Sequence, residues 1–236
     1  MVAGDDGGAP EPKGPGRGEI AEERTTHATR DEITRAALSI IDREGVAALS
    51  MRRLGAEVHL TARALYTHFD GRGDVIDSVV DLVWDEVAAE ISATPPTSDE
   101  WIMHGLICIR RVFLQHPQVA LYVAAAPKLD QRLLDSIDAF AGIMDMSGFA
   151  DPYQSFHLLM QFTYGSVVLG AARQITNAEL GRDEAELRGW MVDNVGSITR
   201  PRTTRGQIAR ALLPEAHEEL FEQELRRIAD ALRTRP

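Results

Sequence analysis

A single cysteine, Cys108, stands in a chain of 236 residues. No internal disulfide can form, and no Cys/His pairing has the spacing of a zinc site. Long hydrophobic runs are missing as well: the most apolar stretch, Leu158 to Ala172, is too short to cross a bilayer and carries Gln161 inside it. Met1 to Gly18 is rich in glycine and proline and has no apolar signal region. A soluble, cytoplasmic chain with no membrane partner is expected. Lysine is nearly absent, with Lys13 and Lys128 alone among 25 basic residues, a bias more in keeping with GC-rich coding than with function. Positive charge is in deficit, 25 Lys+Arg against 36 Asp+Glu for a net −11, which by itself argues against a surface coated for nucleic acid. His27, His59, His68, His104, His116, His157 and His217 show no HExxH spacing, and none is tied to Cys108 by a motif. No catalytic residue, metal or cofactor is expected.

Helical periodicity fills most of what remains. Residues 1–24 are too Gly/Pro-rich and polar to bury apolar surface and are expected to be a disordered arm. Ile33, Ala36, Ala37, Ile40 and Ile41 then fall on one helix face that ends near Gly45. Two short helices fit Met51–Glu57 and Thr61–Thr67, and a long one runs from about Asp74 to Ala93 until Pro95-Pro96 stops it. Further on, helices are expected from Ser98 to Gln115, Gln118 to Ala125, Lys128 to Met146 and Pro152 to about Thr176, the last with Asp151 as its cap. The helix from Pro152 is apolar nearly all round and is expected to be buried on several sides. A weaker helix fits Glu184–Val195, a basic irregular stretch follows, and a final helix covers Pro214–Leu232. No alternating β pattern or internal repeat is present. The fold class is all-α, with an N-terminal unit of short helices over 25–74 and a larger helical unit over 75–236.

Charge divides along the same line. Residues 1–24 carry a net −3, residues 25–74 are neutral, and residues 75–236 carry −8. Within Met51–Arg72 the balance is locally positive, which suits contact with phosphate. Met51–Glu57, the turn Val58-His59-Leu60 and the helix from Thr61 have helix-turn-helix spacing, with Leu54, Val58, Leu60, Leu65 and Phe69 packing the pair. Thr61, Ala62, Arg63 and Thr67 are left facing outward. Arg63 can pair with guanine, and Ala62 or a threonine methyl can touch thymine. Ser50, at a helix N-cap, can offer its hydroxyl to phosphate. On spacing alone an ordinary helical hairpin with solvated arginines remains open.

Residues 30–80 resemble the DNA-binding domain of the TetR family of bacterial repressors. The resemblance is carried by Gly45-Val46, Leu49-Ser50-Met51-Arg52-Arg53-Leu54, Thr61, Ala64-Leu65-Tyr66-Thr67-His68-Phe69, and Asp70-Gly71-Arg72 with Val75-Ile76. It implies phosphate contacts by Tyr66 and His68, another by Arg72 where the family usually has lysine, and a base contact by Arg52. Arg53 belongs to the same set. His59 departs from the pattern, since that turn position is usually glycine, though histidine tolerates positive φ better than most residues. Behind this domain, Ile109-Arg110-Arg111-Val112-Phe113-Leu114, His116-Pro117, Ser147-Gly148-Phe149 and Phe162-Thr163-Tyr164-Gly165 resemble the tetracycline-repressor subclass. Tyr122 and Leu169 stand near where that subclass has its metal-linked histidine and glutamate, so a magnesium–tetracycline ligand is not expected.

The resemblance also implies that 25–74 is a three-helix helix-turn-helix DNA-binding domain, and that 75–236 is a larger helical ligand-binding and dimerisation domain with an internal cavity for a small effector. Tyr153, His157, Met160 and Tyr164 share a helix face with Gln161 beside them, and Ile109, Phe113, Tyr122 and Met144 could face them. Each could equally be plain core. The reading is a homodimeric repressor that binds palindromic double-stranded operator DNA and is released by an aromatic or apolar small-molecule effector. The helices from Pro152 and Pro214 would form its interface. A helical carrier or enzyme using the same cavity, and a transcriptional activator, are the alternatives. Lys13, Arg17 and Arg24 give the arm a possible reach to DNA, and Arg200, Arg202 and Arg205 are expected on a mobile loop.

Overall fold

The computed structural model describes residues 28–95, 100–125, 131–183 and 214–233, with 186 and 189 singly. The arm, Ser98, Lys128, the stretch 190–213 and most of the helix expected at Glu184–Val195 lie outside the described residues. The rest bears out the all-α class: among the described residues there are nine α-helices and no strand. They are α1 (Arg30–Glu44), α2 (Met51–Glu57), α3 (Ala62–Leu65), α4 (Arg72–Ala93), α5 (Trp101–Gln115), α6 (Pro117–Ala125), α7 (Gln131–Met146), α8 (Pro152–Glu179) and α9 (Pro214–Leu232).

Local chemistry explains where these helices begin and end. Thr29 caps α1 in a capping box with Glu32, and Gly45 closes it at φ 84°, a left-handed conformation that costs glycine little. Ser50 and Thr61 cap α2 and α3 by accepting the backbone N–H groups of Arg53 and Ala64. Asp151 does the same for α8, with Pro152 at its first turn. α3 is shorter than expected. After Leu65 the chain tightens to bonds three residues apart, Thr67 N–H to Ala64 O and His68 N–H to Leu65 O, so Tyr66 to His68 form a turn.

α1 packs on α4 and α2, and α2 packs on α3. Ile33, Ala37, Ile40, Ile41, Leu54, Leu65, Phe69, Val75 and Val79 are buried in a core continuous with that of the larger unit. α4 then runs on against α5, and α8 forms the centre of the rest, touching α5, α6, α7 and α9. α6 also touches α1, so the two units meet beside α4. Gly170 lets α8 approach α5: a Cβ there would stand 2.7 Å from Leu114 Cδ2. α8 is buried on several sides, as expected, but not on all. Tyr153, Leu158 and Leu169 remain exposed in the single chain.

Candidate functional site

The helix-turn-helix depends on a close backbone contact. Leu60 N–H donates to Gly55 O at 2.8 Å, and a Cβ on Gly55 would stand only 2.6 Å from Leu60 O. Glycine is therefore required at the end of α2, by close approach rather than by φ. The turn reverses through His59 at φ 56°, the only non-glycine positive φ among the described residues. This is where the sequence has histidine in place of the family's usual glycine.

The expected DNA-contacting residues divide into two groups. Arg52, Arg63, Tyr66 and Thr67 are exposed on one side of α2 and α3, and neither Arg52 nor Arg63 makes an ion pair or hydrogen bond among the described residues. Ser50 and Thr61 are exposed beside them. Their oxygens accept backbone N–H groups as caps, which leaves each O–H free to donate. Thr67 Oγ1 donates to Ala64 O at 2.6 Å, while Ala62 and His68 are half-buried.

Arg53 and Arg72, also expected at the DNA, make contacts within the protein. Arg53 turns back to Glu44 of α1 and Glu57 of its own helix, each at 2.7 Å, and Arg43 joins Glu57 at 3.1 Å. The hydrogen bonds to Glu44 and Glu57 raise the Arg53 pKa, and those from Arg53 hold both carboxyls below their usual range. This side chain ties α1 to α2 instead of facing outward. Arg72 donates from Nε to Leu49 O at 2.8 Å and from Nη2 to Val46 O at 2.7 Å, bracing the turn that leads into α2. Both acceptors are backbone carbonyls that the opening of α4 leaves within reach.

Sequence reasoning missed Arg30. Its guanidinium donates to the His68 carbonyl, to Asp74 Oδ1 at 2.7 Å and to Ser78 Oγ at 2.9 Å, and lies 4.2 Å over the Phe69 ring. It thus fixes the end of the α3 turn to the start of α4. Its helix-start position gave no sign of this, because the partners lie far along the chain.

A cavity of about 240 Å³ opens between α4, α5, α6, α7 and α8. Trp84, Phe140, Phe156 and Tyr164 bring aromatic rings to it, aliphatic side chains fill most of the remaining wall, and Asp81, Ser136 and Tyr164 bring polar atoms. Phe140 and Phe156 stack at 5.4 Å. Gly105 gives Phe140 its seat, since a Cβ there would lie 3.4 Å from the ring. Burial pushes the Tyr164 phenol up to about 12, so near neutral pH it is an uncharged group that can donate or accept.

Of the nine residues expected at a ligand site, Ile109, Met160 and Tyr164 line this cavity. The other six do not. α8 presents Phe156, Met160 and Tyr164, four residues apart, whereas His157 and Gln161 follow the first two by one position and are turned about 100° away, where they are exposed. Tyr153 lies before the cavity's end of α8 and is exposed. Phe113 and Met144 are fully buried core, Phe113 meeting Trp84 edge-on at 5.0 Å, and Tyr122 is half-buried against the same core. The α7 residues and Trp84 were missed because helical periodicity does not distinguish core from cavity wall. Among the described residues no group of His, Cys, Asp and Glu could hold a metal, and no helix is long and apolar enough to cross a membrane.

The described residues thus form a capped helix-turn-helix on a helical body that holds an aromatic cavity. Residues 33–79 match the family described as bacterial regulatory proteins, tetR family. An HTH-type transcriptional regulator of Saccharopolyspora erythraea is 31% identical over 141 residues, covering 59% of this chain and 59% of that relative. The chain therefore spans about three-fifths of that relative's length. The class C tetracycline repressor of Escherichia coli is 25% identical over 161 residues, covering 66% of this chain and 72% of the relative. Among solved structures, Streptomyces coelicolor ActR in complex with actinorhodin superimposes with a TM-score of 0.59 at 25% identity, covering 87% of this chain and 96% of that one. Residues 33–79 thus carry the likeness to the tetR family, and the relatives matched are described as transcriptional regulators or repressors.

Proposed function

We infer that this chain is a ligand-responsive transcriptional repressor that binds a palindromic operator as a dimer and is released by a small aromatic or apolar molecule. The observation that carries the reading is α4. One continuous helix is tied to the reading unit through Arg72 and Asp74 and supplies a cavity wall through Val80, Trp84, Val87 and Ile91. A ligand that binds one stance of α4 better than another must shift the reading unit's stance, and DNA must reciprocally weaken ligand binding. Arg52, Arg63 and Tyr66 would meet the DNA, with the hydroxyls of Ser50 and Thr61 beside phosphate. That ActR is solved in complex with actinorhodin supports the cavity here as an effector site.

A second chain suits the outer face of α8. Leu158, Gln161, Gly165, Leu169 and Ala172 form one exposed stripe, and Gly165 has open space where a Cβ would be. Pairing there, with α9 alongside, would set two reading units about 34–36 Å apart for successive major grooves. The test is a mobility-shift titration on the DNA upstream of the chain's own coding sequence, challenged with neutral aromatic compounds small enough for the cavity. A specific shift released by at least one such compound is expected. A chain that binds these compounds yet never shifts DNA would be a carrier, and the repressor reading would fall.

A further inference from the structure

His116 follows the last residue of α5 and immediately precedes Pro117, which opens α6. Its ring lies between carboxylates from two other helices. Nδ1 is 2.8 Å from Asp42 Oδ2 on α1, and Nε2 is 3.0 Å from Glu86 Oε2 on α4. A neutral imidazole has one N–H and one lone pair, so it could donate to one oxygen while turning its lone pair on the other. The imidazolium has two N–H groups and donates to both. Asp42 sharpens this requirement, because its Oδ1 is buried with no hydrogen-bond partner among the described residues. The contact with the ring is then the main compensation for burying that carboxylate.

The hydrogen bond to Asp42 raises the His116 pKa above the usual imidazole value. Burial works against the rise, while the charge of Asp42 and the hydrogen bond and charge of Glu86 add to it. These two carboxylates are the groups whose charge acts on the ring from α1 and α4. From α6 the nearby Gln118 is neutral and lies against Gly45, at the end of α1. The cluster sits where the reading unit, α4 and the larger body meet. Glu86 lies on α4 between Trp84 and Val87, both of which line the cavity, so any movement of that turn carries Glu86 with it.

We propose that His116 is a positioning residue which, when protonated, latches α1 and α4 to the α5–α6 corner and holds the reading unit in its DNA-binding stance. This rests on the DNA-binding function inferred above, although the latch itself can be measured without DNA. Opening the latch frees the reading unit to move, and that freedom must be lost again on binding two half-sites. Affinity for DNA is therefore highest where the ring is charged and falls as pH rises through its folded pKa.

Two readouts on the full chain test this. The first is affinity for the chain's own upstream DNA between pH 6 and 9. The second is emission of Trp84 on α4, isolated from the chain's 3 tryptophans by Trp101→Phe and Trp190→Phe. In the wild type, affinity falls with rising pH by up to about tenfold for each unit by which the folded pKa exceeds the usual one. Trp84 emission titrates with the same midpoint. His116→Gln, which keeps a donor but cannot charge, is flat in both readouts, and Glu86→Gln, at a more exposed position, moves the Trp84 midpoint down. Identical pH profiles for wild type and His116→Gln, or Trp84 emission that does not titrate, would overturn the latch. If no DNA is bound at all, the repressor reading falls and the Trp84 titration alone decides the latch.

Discussion

Arg53 and Arg63 both stand in the helix-turn-helix, yet they do opposite work. Arg63 is exposed and without an ion pair among the described residues, whereas Arg53 is held by Glu44 and Glu57 at 2.7 Å each. Arg63→Ala should cost about 1–3 kcal/mol of operator binding and leave the melting temperature unchanged. Arg53→Ala should do the reverse, lowering the melting temperature because Glu44 and Glu57 lose their nearest cation and keep only Arg43, with little direct effect on a base contact. Calorimetry beside a binding titration separates the two. The turn offers a second pair. Gly55→Ala places a Cβ 2.6 Å from Leu60 O and should destabilise the fold by about 1–3 kcal/mol in denaturant melts. His59→Gly relieves a left-handed residue and should stabilise it by about 0.5–1 kcal/mol, part of the gain being offset by glycine's freedom in the unfolded chain.

Helix α8 presents two different faces. On α8, Phe156, Met160 and Tyr164 turn to the cavity while Leu158 and Leu169 turn outward. Leu169→Glu should therefore leave the cavity intact but give a monomer in sedimentation velocity and abolish tight binding to a two-half-site operator. The helices themselves were largely legible in the sequence, because an apolar face at 3.6-residue spacing and the caps Ser50 and Asp151 are local signals. Boundaries failed where local signals were weak: Gly71 opens α4 without a side-chain cap, so its start was expected two residues late. The cavity was legible only in part. Ile109, Met160 and Tyr164 were expected on it, but His157 and Gln161 were chosen for polarity on an apolar helix, and that polarity belongs to the outer face.

At the scale of the molecule, a net −11 looked hostile to DNA, and the structure narrows the basic spot further. Arg53 and Arg72 are spent on holding the reading unit together, which leaves Arg52 and Arg63 as the exposed cations of α2 and α3. Few phosphate-facing charges on an acidic chain should give weak non-specific adhesion and a shallow salt dependence, with tight binding only where two units match two half-sites. The long-range ties, Arg30 to Asp74 and His116 to Asp42 and Glu86, could not be read from spacing because their partners lie on other helices. The latter tie has a consequence for stability. The His116 pKa is raised on folding, so its contribution is full below the usual imidazole pKa and is lost as pH rises through the folded value. The melting-temperature gap between wild type and His116→Gln should be widest near pH 6 and close towards pH 9.

The most direct test of the central claim, that this chain reads DNA as a pair of helix-turn-helix units, is a hydroxyl-radical footprint on its own upstream DNA with wild type and Arg63→Ala. The wild type should protect two half-sites of one short palindrome, centred about one helical turn apart, and Arg63→Ala should lose both at the same concentration. No protection by the wild type, or an unchanged footprint with Arg63→Ala, would contradict it.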